Sequence, residues 1–308
     1  MEIGVLGFSG SKNIGDYIQT KAVIDILKTQ NIRILDREKL NYYKGNRIKT
    51  IVNGWFMESP KNWPPSNNID PLFISFHINP SVEKTFINQD SIDYFKKHEP
   101  IGCRDYYTRD LLIENGINAY FSSCVTLGIN RKKYLKKQPD GIIVIGPFDR
   151  LKPFLDYKSP LKFLLSLFKY PFKFFNYKIK LYRFNKHLKM HKFKIKNFDQ
   201  ITKNPIDSHA EGLEFAENML REIAESKIII TSRIHSALPA LAMGLKVIFI
   251  NEGLEQTNHK MRLSGLENYF NSVRFKDFFM INLDTIKSME NHMNHIKKTN
   301  QTINKFKA

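Results

Sequence analysis

The sequence predicts an α/β protein: two Rossmann-like halves, each built on a parallel sheet, facing one another across a cleft. Three observations carry this. The chain opens as strand, glycine-bearing loop and helix, which is the start of a βα unit. The same opening recurs just after residue 140, where a polar run ends. Between these points short apolar runs alternate with helix-length segments, as buried parallel strands require. A length of 308 residues suits two domains, 1–138 and 139–308.

Ile3-Gly4-Val5-Leu6-Gly7-Phe8 reads as a buried strand, and Ser9 to Gly15 as its glycine loop. Ile18, Ala22, Val23, Ile26 and Leu27 follow with helical spacing. Asp16 stands where an N-cap or first-turn acid belongs, with ligand contact as the other reading. Two more strands are expected at Thr50–Asn53 and Pro71–Phe76. A helix follows over Ile92–Lys97, an extended run at Pro100–Cys103, and a helix from Tyr107 to Glu114. Arg131 to Asp140 is the expected linker. The second half reads as a strand at Gly141–Gly146, a helix at Ala210–Glu225 and a strand at Lys227–Thr231. A helix at Ala237–Met243 and a strand at Val247–Ile250 complete it. The tail, 283–308, is polar and helical in pattern.

Two cysteines, Cys103 and Cys124, are too few for a disulfide framework or a four-ligand zinc site, and they read as buried, reduced thiols. Residues 1–8 lack the basic n-region of a secretory signal, and no stretch approaches the ~20 apolar residues of a membrane span. A cytoplasmic location follows. The net charge of +18 is uneven: residues 150–196 hold 14 Lys/Arg against one acid, Asp156, for +13. This segment is read as a basic, aromatic, helical insertion in the second half. Pro153, Pro160 and Pro171 should break it into several short helices. Its phenylalanines and tyrosines interleave with lysines, the composition of an element lying on an anionic membrane surface. The protein would then be peripheral on the inner face of the membrane; the alternative reading of 150–196 is a soluble lid whose phenylalanines pack on the second half.

The strongest local signal is Thr231-Ser232-Arg233-Ile234-His235-Ser236, at a strand end that opens a helix. Backbone N–H groups and the helix dipole favour an anion there, to which Ser232 belongs. Arg233 offers a fork of donors for carboxylate or phosphate. His235 can exchange a proton near neutral pH. Arg104, in Gly102-Cys103-Arg104-Asp105, also falls between an extended run and a helix. Asn13, Gly15 and Asp16 form a third candidate, although a Walker lysine is absent. The histidines show no tight metal-ligand spacing, so no metal is expected.

Taken in order, Asn13-Ile14-Gly15-Asp16, Asn53-Gly54-Trp55-Phe56, Ser75-Phe76-His77, Gly102-Cys103-Arg104-Asp105, Phe121–Leu127 and Thr231–Ala240 resemble the polysaccharide pyruvyl transferase family. The resemblance covers 1–130 and about 140–275. Ser123 departs from it, since glycine is frequent there in the family. The resemblance implies a layout like the GT-B glycosyltransferases and transfer of pyruvate from phosphoenolpyruvate to a sugar of a surface polysaccharide or its lipid-linked precursor. The product would be a pyruvate ketal, with phosphate released and no metal or redox cofactor needed. It implies donor binding and catalysis by Arg233 and His235, with Arg104 a second anion contact. His235 would either supply a proton or orient the phosphate. Two other readings compete. A nucleotide-sugar glycosyltransferase would need a carboxylate near the second-half cleft, for which Glu252 is the candidate. A nucleic-acid-binding protein would suit the pI of about 9.7. The Phe-Leu clustering of 161–168 is unlike the spaced aromatics of RNA readers, so no nucleic-acid partner is expected.

Overall fold

The structure, a computed structural model, describes residues 2–56, 59–254 and 257–307. It has the expected mixed α/β architecture with two all-parallel sheets. The first contains β1 (Ile3–Gly7), β2 (Ile32–Asp36), β3 (Ile48–Trp55), β4 (Ile69–His77), β5 (Ile101–Cys103) and β6 (Ala119–Phe121) in the order β2-β1-β3-β4-β5-β6. The second contains β7 (Ile142–Ile145), β8 (Ile195–Phe198), β9 (Ile228–Thr231), β10 (Lys246–Ile250) and β11 (Asn271–Val273) in the order β11-β10-β9-β7-β8. The strand order therefore reverses between β1 and β3 in one sheet and between β7 and β9 in the other. Ligands of open parallel sheets bind beyond the strand C-termini at such reversals. The Asn13 and Asn53 motifs follow β1 and end β3, and the Ser232-Arg233 motif follows β9.

Central strands such as β7 and β9 are unbroken Ile/Val runs, buried on both faces. One apolar core spans both halves. The helices Ile14–Leu27 and His209–Ala224 meet within it, where Gly212 lets the Tyr17 ring press against the backbone. Tyr17 Oη lies 2.9 Å from His209 Nδ1, and Lys21 pairs with Glu217 at 2.8 Å. A smaller core on the far side of the second sheet gathers Phe148, Phe184, Leu188, Phe275 and Phe278.

Two expectations are corrected and two are narrowed. Residues 150–196 are not several short helices but contain one helix, Pro160–Lys189. Ser159 caps it, Pro160 occupies its first turn where no N–H is needed, and Pro171 is tolerated inside. Nor is the segment an insertion: its end enters β8, which pairs with β7, so the long helix is the crossover of a βαβ unit. The N-cap of Ile14–Leu27 is Asn13, whose Oδ1 accepts from Gly15 N at 3.1 Å, and Asp16 is a first-turn acid. The helical part of the tail is Met293–Lys307, which packs on the first half: Thr299 Oγ1 donates to Ser122 O at 2.8 Å and Lys307 Nζ to Leu27 O at 2.8 Å.

Candidate active site

Three neighbouring strands of the first sheet end in a row of unusual residues. Trp55 closes β3 opposite His77, which closes β4, and Arg104 follows β5 beside them. Asp105 caps the helix Tyr106–Glu114, its Oδ1 accepting from Thr108 N at 2.9 Å, which orients Oδ2 toward His77 Nδ1 at 2.5 Å. Arg104 is 0% exposed, and its ionic neighbour among the described residues is Asp105 Oδ2 at 3.6 Å, beyond hydrogen-bond range. Among the described residues all three guanidinium nitrogens lack an acceptor. Buried donors in folded proteins are normally paired, so a cation left in this state marks a place for an anion.

The second sheet contributes from the other side. β9 ends in Thr231, whose Oγ1 accepts from Arg233 N at 2.9 Å and shapes the turn into the helix Ile234–Ala242. His235, in its first turn, is buried with Nε2 unpartnered. Gly15 allows the two halves to approach. A Cβ there would lie 2.9 Å from His235 Cβ and 2.5 Å from Gln200 Nε2. Gln200 ties the motifs together, donating to Asn13 Oδ1 at 2.7 Å while its Oε1 accepts from Ser236 Oγ at 2.5 Å. Arg262, from the helix Thr257–Leu263, lies 3.9 Å from the Trp55 ring centroid, with Nε unpartnered. Its chain segment is held by Tyr106 N and Tyr107 N, which donate to Ser264 O and Oγ, each at 3.1 Å.

The electrostatics follow from crowding cations away from water. Burial, then the charges of Arg104 and Arg262, hold His235 well below its ordinary range, so it is neutral at pH 7. His77 is lowered to about 4 by burial and then by Arg104, against the opposing pull of Asp105. Burial, then Arg104 and Arg150, lower Arg262 to about 9, still charged at neutral pH. Burial raises the Asp16 carboxyl, although Arg37, Arg262 and Arg104 act against it. The Asp105 carboxyl is held down by His77 and Arg104 in spite of its burial.

Arg233, unlike Arg104, has a hydrogen-bonded acid partner. Its Nη2 and Nε donate to Asp149 Oδ2 at 2.7 and 3.1 Å, on a turn after β7 that Gly146 makes possible at φ +49°. Arg150, next in sequence, hydrogen-bonds Ser232 O, and burial and Arg233 lower it to about 10. Of the residues singled out in sequence, Arg104, His235, Asp16, Asn13 and Gly15 are therefore gathered together. Ser232 donates to Gly146 O at 2.6 Å, and with Arg233 it lines the adjoining turn. Not foreseen as site members were Arg262, Arg150, Asp149 and Gln200. His77, Trp55 and Asn53 stood in the motif series without a role, and both polar side-chain atoms of Asn53 are buried and unpartnered. Ser123 has φ +60°, the region that favours glycine, so the backbone there suits the family's glycine and the serine is the departure. Cys103 and Cys124 are buried free thiols whose pKa burial raises, so neither is a ready nucleophile. Glu252 is bound by Lys180 and by Phe275 N at 3.2 Å. No group of three metal-ligating side chains occurs among the described residues.

The neutral, buried His77 has a thermodynamic consequence. Its folded pKa of about 4 lies below the unfolded value of about 6.5, so between them the unfolded chain binds more protons. Stability from this residue is fully present above pH ~6.5 and lost as pH falls toward 4, roughly 3 kcal/mol in all. Urea unfolding at stepped pH should show this decline, and His77→Asn should flatten it; an unchanged slope would mean the residue does not carry the linkage.

Buried cations thus gather where two parallel sheets of an α/β protein present their strand ends. A sequence profile described as polysaccharide pyruvyl transferase matches residues 13–253, and the chain belongs to that family. No curated protein sequence matches it. Among solved structures it is similar to the crystal structure of a functionally uncharacterized protein from Klebsiella pneumoniae subsp. pneumoniae. The two are 15% identical, with a TM-score of 0.50 over 89% of this chain and 92% of that one, a likeness of fold alone. Family membership makes the protein a transferase acting on polysaccharide.

Proposed function

We propose that this enzyme takes pyruvate from phosphoenolpyruvate and joins it as a ketal to two hydroxyls of one sugar, releasing phosphate. The observation that carries the reading is the fully buried guanidinium of Arg104, which has no hydrogen-bond acceptor among the described residues and feels the charge of Arg262. Phosphoenolpyruvate has a carboxylate and a phosphate, and fork-shaped cations in a water-poor site suit both. A domain division near 138, with the donor in the cleft between halves, fits a GT-B-like layout.

In the proposed chemistry a protonated His235 gives its proton to the methylene carbon, making the adjacent carbon electrophilic as in an oxocarbenium ion. A sugar hydroxyl adds to that carbon and gives its proton to the now neutral His235, restoring the acid. The second hydroxyl then displaces phosphate, closing the ketal, and the proton it loses leaves on phosphate. Arg104 and Arg262 would offset the donor's charge, while Asp105 holds His77 toward the same space. Arg233, braced by Asp149, lines the adjoining turn with Ser232. An acceptor has room beside it, in a space of about 350 Å³ lined by Arg150, Lys173, Tyr177, Lys180 and Glu252.

The test is phosphate release from phosphoenolpyruvate that depends on added polysaccharide or oligosaccharide, with a pyruvyl mass increment on the acceptor. Release with nucleotide sugars and none with phosphoenolpyruvate would overturn the reading.

A further inference from the structure

The helix Pro160–Lys189 has two apolar faces, and only one is covered. At about 100° per residue, Tyr177, Leu181, Phe184 and Leu188 share a face that packs on the second core. Leu161, Leu164, Phe168, Phe172, Phe175 and Ile179 recur at three- and four-residue steps along a stripe roughly 80° wide on the opposite side. All six are exposed, Phe168 to 75% and Phe172 to 80%. An amphipathic helix of a water-soluble protein turns polar side chains outward, and this one does the reverse. Lys162, Lys169 and Lys173 border the stripe on one side and Lys178 on the other. No helix among the described residues is long and apolar enough to cross a membrane.

We infer that this stripe is a membrane-docking face, lying in the headgroup layer of an anionic bilayer with its lysines reaching up to the lipid phosphates. Charge selects this occupant over a second copy of the chain. Two such stripes pressed together would bring their bordering lysines into mutual repulsion, whereas anionic lipid neutralises them. The helix is fixed to the body at its C-terminal end by Phe184, 5.2 Å from Phe148 and 5.0 Å from Phe278. Its outward side therefore holds a set orientation. The space lined by Lys173, Tyr177 and Lys180 lies on the body side of the same helix, so docking would bring that space beside the bilayer. The inference rests on the stripe and its charge, and it stands whether or not the donor is phosphoenolpyruvate.

The experiment is flotation of the full chain with phosphatidylcholine vesicles, with and without phosphatidylglycerol. Binding should need the anionic lipid and weaken at least tenfold at high salt. Each basic residue near the surface is worth about fivefold, so changing Lys162, Lys169 and Lys173 to alanine should weaken binding on the order of a hundredfold. Phe168→Glu with Phe172→Glu should do at least as much with an unchanged Tm, because both side chains are already in water. Lys132→Glu with Lys136→Glu, exposed lysines outside this helix, should leave binding within a few-fold. Equal loss from that control would assign the effect to overall charge and overturn the proposal. So would undiminished binding by the phenylalanine variant, or a lipid-free dimer that the same variant converts to monomer.

Discussion

Replacing Arg104 by methionine is expected to abolish transfer while leaving the fold as stable as before, or more so. Most buried arginines would behave otherwise, because breaking a buried pair strands its partner's charge. Here little is stranded. Asp105 keeps His77 at 2.5 Å and Thr108 N at 2.9 Å, and no other acceptor depends on the guanidinium. What goes is a buried cation with no hydrogen-bond acceptor among the described residues, together with its 3.6 Å pairing with Asp105, its repulsion of Arg262 and its hold on His235. A methionine fills similar length without charge, so Tm should stay or rise by a few degrees. Activity should move the other way. Losing a charge-assisted clamp on a doubly anionic donor should cost at least about a thousandfold in kcat/KM, near 4 kcal/mol. Thermal unfolding and phosphate release measured on one preparation decide the matter. A marked fall in Tm with modest loss of turnover would make Arg104 a structural residue.

The parts legible in sequence were those where burial is two-sided and continuous. β7 and β9 announce themselves as Ile/Val-rich runs, and β1 as an apolar run with two glycines, because a central parallel strand meets helices on both faces. The unread strands are edges. β2 (Ile32-Arg33-Ile34-Leu35-Asp36) and β8 (Ile195-Lys196-Asn197-Phe198) carry charge and polarity because solvent reaches them, and β6 and β11 span three residues each. Missing β8 also turned the basic helix into an apparent insertion. The site divides the same way. Arg104 and His235 lie in motifs that end strands, so their setting could be read from local order. Arg262 lies in a polar run, Asn258-His259-Lys260-Met261-Arg262, that looks like a solvent face. Only contact with Trp55, more than two hundred residues earlier, makes it a site residue. Asp149 and Arg150 fell at the edge of the basic segment, where one more charge carried no signal. The Arg233–Asp149 pairing is likewise long-range, and nothing in the Ser-Arg-x-His run announces that its arginine has an acid partner.

His235→Ala should leave a folded protein that binds the donor within several-fold of the parent yet turns over at least about a hundredfold more slowly. The pH behaviour of the parent tests the mechanism more sharply. In the empty site His235 is neutral because burial and the charges of Arg104 and Arg262 all disfavour its cation. An acid is needed at that position, so the proton must arrive with the donor. Anionic carboxylate and phosphate cancel the arginine charges, the imidazole pKa rises, and binding takes up a proton. A site whose pKa rises on binding holds its ligand more tightly as pH falls. Donor affinity should therefore increase from pH 8.5 toward about 7, a window in which unperturbed histidine is mostly neutral. Calorimetry in two buffers of different ionisation enthalpy should show net proton uptake, at a pH where the donor phosphate is fully ionised. His235→Ala should lose most of that uptake along with turnover. If the variant keeps the uptake, His77 is the group that charges, its own Nε2 being equally buried and unpartnered. Near-normal turnover by folded His235→Ala would remove this histidine from the chemistry altogether.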